Sequence, residues 1–143
     1  MSIQAILDRK GRDVVTISGN ATLKSAADQM LMHGIAALIV TSGDVIAGII
    51  SEREIVRAIA RHGTLAVSLP VTDILTHSIF PVAPEHSLKH AMNVMTRNRV
   101  RHLPVLSDGK LVGIVSIGDI IKRRLDDLEM ESNVLRDVYI AAR

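Results

Sequence analysis

The spacing of apolar positions along the chain changes several times, and the changes come twice in the same order. Leu23, Ala26, Ala27, Met30 and Leu31 recur at the interval of one buried helical stripe, with Thr22 in front of them as a cap. Two β-branched runs follow, residues 35–41 and 45–50, joined by Ser-Gly-Asp, which predicts a hairpin. A second helix is predicted over residues 52–61. The order then restarts: Ser87 as a cap, strands over 100–106 and 110–115 joined by Ser-Asp-Gly, and a helix from Ile117 onward. A short extended piece, residues 14–17 or 79–82, leads into each copy. Each therefore reads β-α-β-β-α.

The repetition is not accidental. Residues 22–57 lie over 87–122 without a gap, and eleven of the 36 columns are identical, where chance gives about two. A unit of roughly sixty residues is small to stand alone. The expectation is a mixed α/β (α+β) fold of two pseudo-symmetric repeats packed through their sheets, with residues 1–66 as the first, 67–122 as the second and 123–143 as a C-terminal helical extension. Residues 62–70 read as a linker, and "VTDIL" (71–75) as the lead-in to the second copy. "DRKGRD" (8–13) reads as a loop that makes the first copy about three residues longer. From Ile121 onward, the residues Ile121, Leu125, Leu128, Ser132, Leu135, Tyr139 and Ala142 alternate in steps of four and three, a heptad seam with one polar position. Such a helix either lies on its own domain or pairs with a second copy, and the second is expected here. Ser132-Asn133 is where it can break.

Composition narrows the function. The 143 residues are 48% hydrophobic with a formal net charge of +2, and acids follow the basic run at 122–124 directly, so no single-sign patch for nucleic acid is expected. One Phe and one Tyr cannot build a base-stacking platform. Without cysteine there is no disulfide, thiolate metal site or cysteine nucleophile. Asp8, Arg9 and Lys10 interrupt the N-terminus before a signal-peptide core can form, and no apolar run spans a membrane, so a cytoplasmic protein is expected. His86 and His90 stand four apart but lack a third metal ligand. Met30, Met32, Met92 and Met95 read as core filling. No set of residues reads as catalytic, so no enzyme is expected.

The chemistry concentrates where strand hands over to helix. "GIISERE" (48–54) and "GIVSIGD" (113–119) each place a Ser three residues before an acid: Ser51 with Glu54, Ser116 with Asp119. That pattern is a capping box, and also a place where helix N–H groups attract anions; the two roles can coexist. Arg99 and Arg101 can supply charge to a phosphate, and His102 a ring that hydrogen-bonds or stacks. Pro104 cannot donate to a strand ladder, so its carbonyl side is a candidate to face a base. Lys10 can reach a phosphate from its loop, although a solvated loop is the plainer reading.

Those two segments, with "RHLPVLSDGKLVGIVS" ahead of the second, resemble the cystathionine-β-synthase (CBS) domain repeat, two of which form a CBS pair or Bateman module. The resemblance covers Ile3 to about Lys122. It implies a non-catalytic regulatory module that binds AMP, ADP, ATP or NAD in clefts between the repeats, without a catalytic cofactor. It also implies a homodimer acting on an unidentified protein target. By position, Ser116 would meet the phosphate or ribose end and Asp119 the ribose hydroxyls, with Ser51 and Glu54 as the matching pair. Val82, and Thr16 or Ile17, would line the adenine slot. Glu54 departs from the usual Asp, and Arg53 has Gly118 as its counterpart, so the two sites should be unequal. The alternative is a structural adaptor or oligomerisation module with vestigial sites. Inosine-monophosphate dehydrogenase carries the same repeats but needs a barrel and a cysteine.

Overall fold

The computed structural model of the chain describes residues 1–11 and 13–142. In chain order the elements are α1 (Ile3–Lys10), β1 (Thr16–Ser18), α2 (Leu23–His33), β2 (Ala37–Ser42), β3 (Val45–Ser51), α3 (Glu52–His62), α4 (Leu88–Asn98), β4 (His102–Ser107), β5 (Lys110–Ser116) and α5 (Ile117–Ala141), with 3₁₀ turns over Gly63–Ser68 and Val71–Asp73 between α3 and α4. They form a mixed α/β fold in two compact units. One, the inserted unit, is Asp13–Pro81; the other, the split unit, is Met1–Arg12 together with Val82–Arg143.

In the inserted unit, Thr22 caps α2 by accepting from the Ser25 N–H at 3.1 Å, and Gly34 ends it in the left-handed conformation. Leu23, Ala26 and Met30 form its buried stripe. Leu31 sits roughly 80° around the helix from Leu23, outside that arc, and it and Met32 are exposed, contrary to the buried roles expected for them. β1 runs parallel to β2 with Ile17 beside Val40, and β2 runs antiparallel to β3 with Ala37 opposite Ser51. On the far edge of β3, Thr76 and Ile49 exchange backbone bonds of 2.9 and 3.1 Å. Gly48 permits this approach: a Cβ there would collide with the Thr76 carbonyl and the Leu75 side chain.

The split unit repeats the plan. Ser87 caps α4 by accepting from His90 N–H at 3.0 Å, and β4 pairs antiparallel with β5, His102 opposite Ser116. Both hairpins carry a register shift at the matching place, Val40/Thr41 and Val105/Leu106, so Pro104 is not its cause. Pro104 does have a consequence at the third strand, which shrinks to a single parallel bridge between Val82 and Val105. Val82 donates to the Pro104 carbonyl at 3.0 Å and accepts from Leu106 at 2.9 Å. The preceding rung of a parallel ladder needs an N–H at position 104, and proline has none. The strand expected at 79–82 therefore does not form. The Pro104 carbonyl, expected to face a base, is taken by Val82. Met95 is buried and Met92 exposed, again against expectation for the latter.

Helix α1 completes this unit. Ile3, Ile6 and Leu7 are buried, and Leu7 lies where a Cβ on Gly113 would be, as Leu75 does at Gly48. Its first N–H groups, left without intrahelical partners, donate to the backbone carbonyls of His86 (2.9 Å, from Ile3) and Pro84 (2.8 Å, from Gln4). The compact units thus do not coincide with the repeats. "VTDIL" opens with a 3₁₀ turn, Val71–Asp73, and packs within the inserted unit, while α1 packs with the second copy's strands. The residues 8–10 expected in a loop are the last turn of α1; Arg12, in the same stretch, lies outside the described residues, as does Arg143 at the end of the extension. The expected linker is largely the 3₁₀ turn Gly63–Ser68, and α5 runs unbroken through Ser132 and Asn133.

Candidate functional site

Each unit ends a β-strand in a serine and begins a helix with an acid three residues later. At the β5–α5 junction, Asp119 Oδ2 accepts from Ser116 N–H at 2.8 Å, while Ser116 Oγ accepts from Asp119 N–H at 3.1 Å. This reciprocal pair is a capping box, so the structural reading of the motif holds. The Ile117 N–H donates to the Arg101 carbonyl at 2.9 Å. Of the first three helical N–H groups, only that of Gly118 is left to meet an anion.

A cation already faces the acid. Lys10, at the end of α1, donates to Asp119 Oδ2 at 2.7 Å and to the Ile114 carbonyl at 2.9 Å. Burial by itself would raise the Asp119 pKa. The Lys10 ammonium and the Ser116 backbone N–H outweigh it and hold the carboxyl below its ordinary range. Both bonds to the carboxylate converge on Oδ2. Two turns along α5, Asp126 pairs with Arg9 at 2.6 Å, the arginine exposed and the aspartate half-buried.

The β3–α3 junction solves the same problem differently. Glu54 Oε2 accepts from Ser51 N–H at 2.7 Å and also from the Ser51 hydroxyl, while Oε1 accepts from Thr76 Oγ1 at 2.9 Å. The extra methylene lets the carboxylate reach back to its own cap and out to Thr76. A neutral hydroxyl therefore stands where the split unit uses an ammonium. Positive charge is near but separate: Arg57, Arg61 and His62 line one shallow cavity of about 160 Å³ with Glu54, Asp73 and Thr76.

The residues singled out in the sequence fall into two groups. Lys10, Ser116 and Asp119 meet directly, and Arg101 and His102 stand at the start of β4 beside them, His102 opposite Ser116. Ser51 and Glu54 meet in the other unit, with Arg53 exposed next to them. On the same sheet, Thr16 pairs with Ile39, two residues along β2 from the Ala37 that faces Ser51, and its side chain is exposed. Ile17 belongs to that unit's apolar core, and the Val82 side chain is buried. Sequence reasoning passed over Thr76, Arg57 and Arg61. A signal existed: "IQAIL" (3–7) and "VTDIL" (71–75) share spacing and Leu, which marks the segment before Thr76 as the counterpart of α1. His86 Nδ1 accepts from Ala83 N–H at 2.9 Å, and its ring lies 4.3 Å from that of His90, tilted by 46°.

Comparison with known proteins bears on both units. The family model of the CBS domain matches twice, at residues 8–61 and 71–126. The crystal structure of the CBS-domain containing protein ATU1752 from Agrobacterium tumefaciens superposes with a TM-score of 0.84 at 37% identity, over 87% of this chain and 99% of that one. The hexameric CBS-CP12 protein from bloom-forming cyanobacteria superposes with a TM-score of 0.74 at 30% identity, over 85% of this chain and 69% of that one. The mitochondrial CBS domain-containing protein CBSX3 of Arabidopsis thaliana is 39% identical over 106 residues; the match takes in 71% of this chain and about half, 52%, of the plant protein. Two matched repeats, the duplicated strand–helix junction and the shared architecture agree, and the chain belongs to the CBS domain family.

Proposed function

We propose that the chain is a non-catalytic regulatory module that binds an adenine nucleotide, AMP, ADP, ATP or NAD, at its strand-to-helix junctions. The observation that carries this reading is the Lys10–Asp119–Ser116 cluster: a fixed carboxylate beside a fixed ammonium, at a helix start. A ribose diol needs an acceptor and a phosphate needs a cation, and the two stand one hydrogen bond apart. Asp119 Oδ1 is open to a ribose hydroxyl, a charge-assisted bond worth roughly 1.5–3 kcal/mol. Lys10 has three donors, two of them in use, and the third can meet a phosphate oxygen. Ligand contact with Lys10 pulls on the end of α1, which gives occupancy a route to a change of shape. In this reading the module works in the cytoplasm, associates with a second copy and acts on a protein target. The hexameric CBS-CP12 relative supports self-association. Among the described residues no helix is long and apolar enough to cross a membrane.

The junctions are unlike, and the reading assigns them unequal affinities. The split unit has the shorter acid with its cation attached. The inserted unit has a longer acid already bonded three ways, and its arginines stand farther down α3. A second reading, a structural adaptor with empty sites, draws on the same cluster: Lys10 satisfies Asp119 without any ligand.

Thermal unfolding with AMP, ADP, ATP, NAD and S-adenosylmethionine separates the two. A ligand at a hundred times its Kd adds about 2.7 kcal/mol of stability. Asp119→Ala should remove most of that gain. No shift with any of the five leaves the adaptor standing.

A further inference from the structure

Helix α5 outruns the unit it belongs to. Its first three turns pack on that unit through Ile120, Arg123, Asp126 and Asp127, but from Leu128 to Ala142 every residue is exposed. Those fifteen positions carry the chain about 20 Å beyond the turns that pack on the unit. An isolated helix of that length is marginal in water. It also carries an apolar stripe: Ile121, Leu125, Leu128, Leu135 and Tyr139 are each at least half exposed. The stripe has heptad spacing, with Leu125, Ser132 and Tyr139 at a positions and Ile121, Leu128, Leu135 and Ala142 at d.

The flanking charges name the occupant and its direction. Beside this seam the g positions hold Arg124 and Glu131, and the e positions hold Lys122, Glu129 and Arg136. In a parallel pair each g residue meets the partner's e residue five positions on, so Arg124 meets a second Glu129 and Glu131 meets a second Arg136. Both contacts are attractive, and symmetry doubles them. The seam is also nearly palindromic about residue 130, so an antiparallel pair would bury the same apolar residues. There, however, Glu129 would face Glu129, Glu131 would face Glu131, and Lys122 would face Arg136. The polar Ser132 decides the same way: parallel pairing confines it to one layer against its own copy, whereas antiparallel pairing sets it twice against Leu128.

We propose that α5 forms a parallel two-stranded coiled coil with α5 of a second copy of this chain, over residues 121–142. Analytical ultracentrifugation of the full chain tests association, and three variants test its form. Arg124→Glu alone and Glu129→Arg alone each set like charges across both symmetric contacts, and each should weaken the dimer about five- to tenfold in Kd. The double variant should recover wild-type association. Because the chain has no cysteine, Ala142→Cys reports direction cleanly: oxidation should link two chains in a parallel pair, where the two d residues meet. In an antiparallel pair position 142 lies at the opposite end from its copy and no link forms. A monomer at all concentrations, an oligomer indifferent to both charge variants, or a dimer that fails to cross-link through Ala142→Cys each overturns the proposal.

Discussion

Lys10 and Asp119, separated by 109 positions, meet at 2.7 Å and join the end of α1 to the start of α5. The contact is at once a cap, an ion pair and the centre of the proposed site, and its several roles can be pulled apart.

The first handle is pH. Asp119 has a folded pKa below its unfolded one, so its contribution is complete above the unfolded value, near 4, and is lost as pH falls through the folded value. Lys10→Met should raise the Asp119 pKa and cost roughly 0.5–1 kcal/mol at pH 7, a discounted figure because both side chains are partly exposed. The gap between variant and parent should close in acid, once Asp119 is protonated in both. NMR titration of the carboxyl with denaturant curves at several pH values checks this; a gap that persists at the lowest pH would mean Lys10 acts through packing.

At the other junction the partner is a hydroxyl. Thr76→Val removes the Thr76–Glu54 bond and should cost about 1 kcal/mol, with no dependence on salt. Glu54→Asp withdraws the carboxylate from the same hydroxyl. Once one change is made, the other should cost little. A double-mutant cycle measures the coupling, and purely additive costs would show that the bond contributes nothing.

The two tight glycines differ in what stands opposite them. A Cβ at Gly48 meets the backbone of Thr76, while one at Gly113 meets only the Leu7 side chain. Gly48→Ala should therefore destabilise by about 3 kcal/mol and Gly113→Ala by about 1, since a leucine can rotate aside and a paired carbonyl cannot. Urea unfolding of both variants gives the ranking directly.

Leu7 is buried in the split unit and contributes to it from a segment far from the rest in sequence. Leu7→Ala should cost about 3 kcal/mol. Hydrogen exchange should show loss of protection in β4, β5 and α4, with β2 and β3 much less affected. Equal loss in both sets would mean that the units do not respond separately.

Patterns with local causes were legible in the sequence. The duplicated hairpin, the caps Thr22 and Ser87, and the strand-to-helix junctions all arise from residues within one turn or one strand of each other. Long-range pairings were not. Residues 8–10 look like loop because their charges are solvated on one side, while the apolar half that makes them a helix, Ile3, Ile6 and Leu7, packs on strands about a hundred positions away. "VTDIL" reads as the start of the second copy, and the second family match does begin at residue 71, but its packing was not legible: the N–H groups of Val71 and Thr72 donate to the carbonyls of Ala21 and Gly19 in the first. Pro104 was visible as an irregularity. Only the Val82 register shows that it shortens a strand next to it rather than freeing a carbonyl.

The split unit has a consequence for how the chain comes off the ribosome. Residues 13–81 hold all of one unit, which is complete in sequence before the other unit's strands are made. Residues 3–10 emerge earlier, yet their strands and the junction bearing Asp119 are synthesised last. During that interval Ile3, Ile6 and Leu7 are exposed and available to the wrong partners, and α1 must be recaptured after the other unit is complete. Anything attached ahead of residue 1 therefore hangs from the half of the protein that is completed last.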